Sequence, residues 1–200
     1  MTNATVVKVG GSLAESDAAV LLMRALATRG PRRVVVVPGG GDFADAVRLA
    51  WRRHPIGDQA AHSMALLAMR MSAVMLGALA PNCVVAECAA DFEAAWQRVL
   101  TPIWAPERMV LAAPDVPASW DVTSDSLAAW LARVIEASRL VLVKACAVPA
   151  AMERDAAALA AAGIVDPCFP RFVAGTNLQW RVVSGAGAAL QTLGLRHPAC

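Results

Sequence analysis

Val34-Val35-Val36-Val37-Pro38-Gly39-Gly40-Gly41-Asp42 is a run of four valines that stops at a proline and three glycines. Four consecutive β-branched residues with no polar alternation read as a strand buried on both faces, which is the habit of a parallel sheet. A second strand with the same ending lies upstream. Thr5-Val6-Val7-Lys8-Val9 runs into Gly10-Gly11-Ser12. Between them, residues 15–29 read as a helix stopped by Gly30-Pro31.

Outward from this pair, β-branched runs keep alternating with alanine-rich stretches. Asp42 is placed to cap a helix that runs to about residue 53. Residues 59–79 form a long helix closed by Pro81. Residues 83–86 and 109–112 read as strands with a helix near residues 92–100 between them. A helix starts at Thr123 or Ser124 and reaches about residue 138, and residues 140–143 read as a buried strand. A helix over 152–162, a last strand over 179–183 and a short helix complete the chain. Such alternation predicts right-handed βαβ crossovers and an α/β fold: a three-layer αβα sandwich around a mostly parallel central sheet.

Composition narrows the function. The 200 residues carry 18 Lys+Arg and 16 Asp+Glu, a net charge of +2, which gives no polybasic footprint for nucleic acid. Apolar residues make up 58%, which excludes disorder. Of these, 44 are alanine. The longest apolar stretch, residues 64–80, is interrupted by Arg70 and falls short of the ~20 residues of a membrane span. It reads as a buried or interface helix. Residues 1–11 show no basic stretch followed by an apolar one and are not expected to be a secretory leader. The five cysteines form no CxxC pair, and a reducing cytoplasmic setting is expected. The three histidines are scattered, so no metal site is predicted. Sixteen of the eighteen basic residues are arginine; the two lysines are Lys8 and Lys144.

Open α/β sheets bind ligands beyond the C-terminal ends of their strands. Three loops fall there: residues 8–12, residues 38–42, and Asp121-Val122-Thr123-Ser124-Asp125-Ser126. Glycines after a strand let the backbone approach an anion, and their N–H groups cradle phosphate. Neither GxxxxGK[ST], GxGxxG after the first strand nor GxSxG occurs. Plainer readings stand beside this one. Lys8 is also readable as a solvated strand-end lysine, Gly39-Gly40-Gly41 as a tight turn, and Asp125 as an acid favoured by a helix dipole. His62 is equally readable as a core or interface histidine. Trp104 and Trp120 are expected in loops, where they either anchor the chain or line a pocket.

A strand lysine flowing into Gly-Gly-Ser, a buried strand ending in Pro-Gly-Gly-Gly, a Thr-Ser-Asp at a helix start and a strand ending in Lys144 together resemble the amino acid kinase superfamily. The resemblance covers about residues 6–183. Residues 38–48, 61–65, 122–128 and 164–167 are most similar to the small kinases of methanofuran and methylofuran biosynthesis, which phosphorylate an (aminomethyl-furyl)methyl phosphate with ATP. The resemblance implies a single amino acid kinase-like (carbamate kinase-like) domain over residues 1–200. Residues 1–120 would form an acceptor half and 121–200 a shortened nucleotide half. It implies Lys8, Asp125 and Lys144 as catalytic residues, with Gly10, Gly11, Ser12 and Lys144 on the nucleotide phosphates. Gly39, Gly40, Gly41, Asp45, Arg48, His62, Thr123 and Ser124 would hold the acceptor. Mg²⁺ would arrive on ATP. The implied partners are ATP and a small phosphorylated substrate, with no nucleic acid and no membrane, in a homo-oligomer of two or more copies. Many superfamily members carry Thr-Asp-x-x-Gly after the lysine strand, whereas residues 145–149 here read Ala-Cys-Ala-Val-Pro. No later lysine follows; only arginines remain, Arg154, Arg171 and Arg181 among them. Alternatives are a uridylate or isopentenyl phosphate kinase, or a nucleotide- or anion-binding module that has lost catalysis.

Overall fold

The computed structural model describes residues 2–14, 16–29 and 33–195. The expected helix stop at Gly30-Pro31, and also His197 and Cys200, lie outside the described residues. Six strands form one sheet in the order β3-β4-β2-β1-β5-β6, and every pairing is parallel. In chain order the strands are β1 (Thr2–Val9), β2 (Val34–Pro38), β3 (Cys83–Ala86), β4 (Thr101–Trp104), β5 (Ala137–Lys144) and β6 (Gln179–Ser184). The helices are α1 (Gly11–Ala14), α2 (Asp17–Arg29), α3 (Gly41–Arg53), α4 (Asp58–Leu79), α5 (Ala89–Gln97), α6 (Glu107–Val110), α7 (Ser124–Val134), α8 (Ala156–Ala161), α9 (Phe169–Val173) and α10 (Gly185–Leu193). The expected αβα sandwich is present.

The strand period of two sorts side chains into two layers. Val7 and Val9 of β1 pack with Val34 and Val36 against Leu22 and Leu26 of α2 and Leu190 of α10. Ala4 and Val6 pack with Val35 and Leu142 against Leu127 and Leu131 of α7. Both layers are closed by completely buried side chains, so the sheet is covered on both faces as its valine runs predict.

Several expectations need correction. Residues 109–112 are not a strand: α6 covers Glu107–Val110 and a turn follows. The strand is β4, residues Thr-Pro-Ile-Trp, whose proline argues against strand by composition. Trp104 is therefore on a strand rather than in a loop; it is fully buried and stacks on Trp130 with ring centres 6.1 Å apart. α7 ends at Val134, and β5 already starts at Ala137. The expected helix over 152–162 is a 3₁₀ turn, Ala150–Met152, followed by α8. α9 was not foreseen. Asp42 is not the cap of α3, because Gly40 holds that position and Asp42 sits in the first turn.

α4 is long and apolar enough, by length and composition, to cross a membrane. Its Leu66 and Met69 enter one core layer and Ala73 and Leu76 the other. Its outward face carries Leu67, Met71 and Val74, each about half exposed.

Candidate functional site

The sheet order turns at β1. The chain lays β2, β3 and β4 on one side of it and then crosses to β5 and β6 on the other. Such a reversal opens a crevice beyond the strand ends, and both lysines lie there. Lys8 is in register with Leu142 of β5, and Lys144 is two residues beyond Leu142, so the two lysines share the face that packs on α7. Asp125, in the first turn of α7, meets them both. Lys8 Nζ is 2.8 Å from Asp125 Oδ1. Lys144 Nζ donates a hydrogen bond to Oδ2 at 2.5 Å. The Lys8 contact is an ion pair without hydrogen-bond alignment, so Oδ1 accepts no bond.

Two cations on one carboxylate leave a buried excess positive charge. Lys8 is 4% exposed and Asp125 is 3% exposed. Burial alone would raise the Asp125 carboxyl; Lys8 and Lys144 outweigh it and hold the group below its ordinary value of 3.8. Lys144 is pushed below its ordinary 10.5 by burial and by the Lys8 charge, against the pull of Asp125. The cluster is therefore short of negative charge, which is the electrostatic condition for binding an anion.

The glycine loops carry this cluster's rim, and the structure gives their composition a reason. A Cβ on Gly39 would lie 2.4 Å from the Gly11 nitrogen, and one on Gly11 would lie 2.6 Å from the Gly41 nitrogen. The loops after β1 and β2 thus touch backbone to backbone. Gly41 adopts φ +51°, a left-handed conformation at the start of α3. The N–H of Gly10 donates to Val143 (3.0 Å) and that of Gly39 to Val9 (2.8 Å), so those two groups extend the sheet ladder. The N–H groups that could face an anion are those at the starts of α1 and α3. Buried Ser72 of α4 fixes the second loop by donating to the Gly40 carbonyl at 3.3 Å.

A cavity of about 220 Å³ opens beside the cluster. Gly11, Ser12, Gly39, Gly40 and Gly41 line it together with Thr123 and Ser124. Asp45, Arg48 and His62 reach it from α3 and α4. Of the expected site residues, Lys8, Gly10, Asp125 and Lys144 lie outside the cavity lining, and all the others belong to it. Gly10 is close to the cluster: a Cβ there would be 3.7 Å from Lys8 Nζ. His62 is 9% exposed, and burial lowers its pKa from the ordinary 6.5, which favours the neutral imidazole. Asp45 and Arg48 pair with each other at 2.5 Å. The Arg48 guanidinium also lies over Trp120 at 5.2 Å. Trp120 lines the cavity, as one of its two expected readings had it, and its buried Nε1 has no hydrogen-bond partner. Asp58 and Ser119 also line the cavity and were not foreseen; no local motif marks either residue.

Arg154 and Arg181 do not take the place of a lysine at this end. They line a groove with Arg139 and Gln179, toward the strand starts. Arg171 lies over Phe172 at 5.8 Å. What does open beside Lys144 is the N-terminus of α10, because Lys144 is in register with Ser184. The Ser184 hydroxyl accepts from the Val148 N–H at 2.6 Å and fixes the loop after β5.

Comparison with known proteins places this arrangement. Residues 3–147 match the model of the amino acid kinase family. Over 139 residues the chain is 25% identical to a [5-(aminomethyl)furan-3-yl]methyl phosphate kinase of Methanocaldococcus jannaschii, a match covering 68% of this chain. The match spans 63% of the length of that curated relative. The crystal structure of a uridylate kinase from Archaeoglobus fulgidus aligns with a TM-score of 0.70 at 16% identity, covering 96% of this chain and 95% of that one. A UMP kinase from Ureaplasma parvum aligns with a TM-score of 0.64 at 15% identity, covering 96% of each chain. These structural likenesses concern the fold.

Proposed function

The chain belongs to the amino acid kinase family, and from that premise we propose that it transfers the γ-phosphoryl group of ATP to a small phosphate monoester. An acceptor phosphate oxygen attacks the γ-phosphorus, the bond to the β-phosphate oxygen breaks, and ADP leaves while a diphosphate remains. The observation that carries this reading is the Lys8–Asp125–Lys144 cluster at the sheet's crevice.

Phosphoryl transfer asks for positioning and charge neutralisation. Lys8 and Lys144 supply mobile point charges for the non-bridging oxygens. Asp125 orients both ammonium groups. With its carboxyl held low by two cations, it is unsuited to take a proton. An acceptor that is already an anion needs no such base, which favours a phosphate over an alcohol. Gly11, Ser12 and the N-terminus of α10 face the donor phosphates. The start of α3, with Thr123 and Ser124, holds the acceptor phosphate. Ammonium and N–H donors suit ATP oxygens rather than a metal ion, so Mg²⁺ travels on the nucleotide.

The acceptor we favour is an (aminomethyl-furyl)methyl phosphate, as in the curated relative. A cavity of about 220 Å³ lies below the roughly 300–1,000 Å³ typical of pockets for larger ligands. That size suits one small ring better than a nucleoside. Trp120 offers a flat wall, and neutral His62 offers one donor and one acceptor to the ring or its substituent. Asp45, Arg48 and Asp58 also line the cavity, where Asp45 or Asp58 can meet an ammonium. On this reading about residues 1–120 supply most of the acceptor half and about residues 121–200 most of the shortened nucleotide half of one domain. The outward apolar face of α4 suits a second copy.

The test is turnover of Mg-ATP with three acceptors: the aminomethyl-furan phosphate, UMP and isopentenyl phosphate. The furan phosphate is expected to react at least tenfold faster than the others, with the protein sedimenting as a dimer or larger. Faster turnover of UMP or isopentenyl phosphate would replace the substrate. Binding of all ligands without ADP formation would make the chain a lapsed module, as residues 145–149 allow.

A further inference from the structure

Thr123 stands at the N-cap of α7, but its side chain does not cap the helix. A buried carboxylate far along the chain does so instead. Asp166 Oδ2 accepts from the Thr123 N–H (3.0 Å), the Thr123 hydroxyl (2.8 Å) and the Ser126 N–H (2.9 Å). Asp166 Oδ1 accepts from the Ser126 hydroxyl and from the Phe169 N–H, the latter at 3.0 Å. Five donors thus converge on one carboxylate that is 7% exposed. The Cys168 N–H ties the same loop to the Asp121 carbonyl at 3.3 Å.

The first turn of a helix leaves N–H groups without partners, and an ionised acceptor there forms charge-assisted bonds. A local serine or threonine cap would satisfy one of them. Asp166 does more, because the two residues it grips, Thr123 and Ser126, bracket Asp125. With its neighbours held on both sides, Asp125 has one place to be, between Lys8 and Lys144. Ser124, the residue between Thr123 and Asp125, is left to line the cavity.

We propose that Asp166 is a positioning residue: it fixes the first turn of α7 and so sets the place of Asp125 against both lysines, without touching the reactants. Its effect on turnover rests on the kinase reading above; its effect on the lysines rests on geometry alone.

The chain's two lysines make a spectroscopic test possible. Protein labelled with ¹³Cε-lysine gives one signal from each, and its position and titration read how the ammonium is paired. Asp166→Asn puts an amide donor where N–H and O–H groups need an acceptor. Both lysine signals in the folded variant are expected to move toward their positions in Asp125→Asn, and kcat is expected to fall roughly tenfold to hundredfold, as for a small misplacement of a reacting group. Ser126→Ala removes one of the five bonds and shifts the signals less, in the same direction; it decides the matter if Asp166→Asn does not fold. Folded variants whose lysine signals stay at the wild-type positions overturn the proposal, whatever their turnover. If the wild-type protein itself transfers no phosphoryl group, the kinase reading fails while the lysine spectra still decide this one.

Discussion

Asp125→Asn is expected to cost both turnover and stability. The asparagine keeps the shape but leaves Lys8 and Lys144 buried without a counter-charge. Removing one partner from a buried ion cluster costs about 3–5 kcal/mol, because the remaining charge is uncompensated. For a chain of this size that is a fall in Tm of about 10 °C. Turnover is expected to drop by roughly two to three orders of magnitude, as when an electrostatic group is lost from a preorganised site. The pH dependence carries the sign. The Asp125 carboxyl sits below its ordinary 3.8 in the folded protein. Its contribution is therefore complete above about pH 4 and is lost as the pH falls through the folded value. Asp125→Asn should flatten that part of the acid limb of the stability curve. Thermal melts between acid and neutral pH check this; a variant as stable as wild type at pH 7 would mean that the cluster is not held as described.

Gly39→Ala is the second large effect, and it acts through backbone rather than charge. The added methyl would meet the Gly11 nitrogen at 2.4 Å and its Cα at 2.9 Å. Neither is a flexible side-chain end, so the two loops must part. Overpacking of this kind costs about 1–3 kcal/mol. Because the displaced loops carry the start of α1 and the start of α3, kcat is expected to fall roughly a hundredfold. Gly57→Ala is the control, since a Cβ at Gly57 has no atom within 4 Å. Equal kinetics for the two variants would contradict the contact between the loops.

What could be read from the sequence was what depends on short-range patterning. The four valines of β2 and the Val-Lys-Val of β1 announce buried strands, and the glycines after them announce the loops that meet at the sheet's crevice. The long apolar stretch inside α4 is legible for the same reason. β4 was not legible because Pro102 contradicts strand chemistry, while the apolar Met-Val-Leu-Ala that follows imitates it. The three glycines were weighed as turn against cradle; the contact between Gly39 and Gly11 supplies a reason that neither reading contained, since it depends on two strands lying side by side. Asp166 was visible only as part of an Ile-Val-Asp-Pro stretch. Its role depends on contacts 40 and 43 residues away, which no window on the chain spans. Trp104 was misplaced with β4, and its expected place in a loop gave way to the strand.

The rarity of lysine gives the most direct test. Both lysines of an arginine-rich chain stand on one carboxylate at the ends of neighbouring strands. A compact ammonium can follow a moving phosphoryl group, whereas a guanidinium is a rigid fork. The decisive measurement is ³¹P NMR of Mg-ATP and the acceptor phosphate with wild type, Lys8→Arg and Lys144→Arg. Wild type is expected to give ADP and a diphosphate, while both variants stay folded and form product at least about a hundredfold more slowly. Wild-type rates in both arginine variants, or no diphosphate from the wild type with any phosphate monoester, would contradict this.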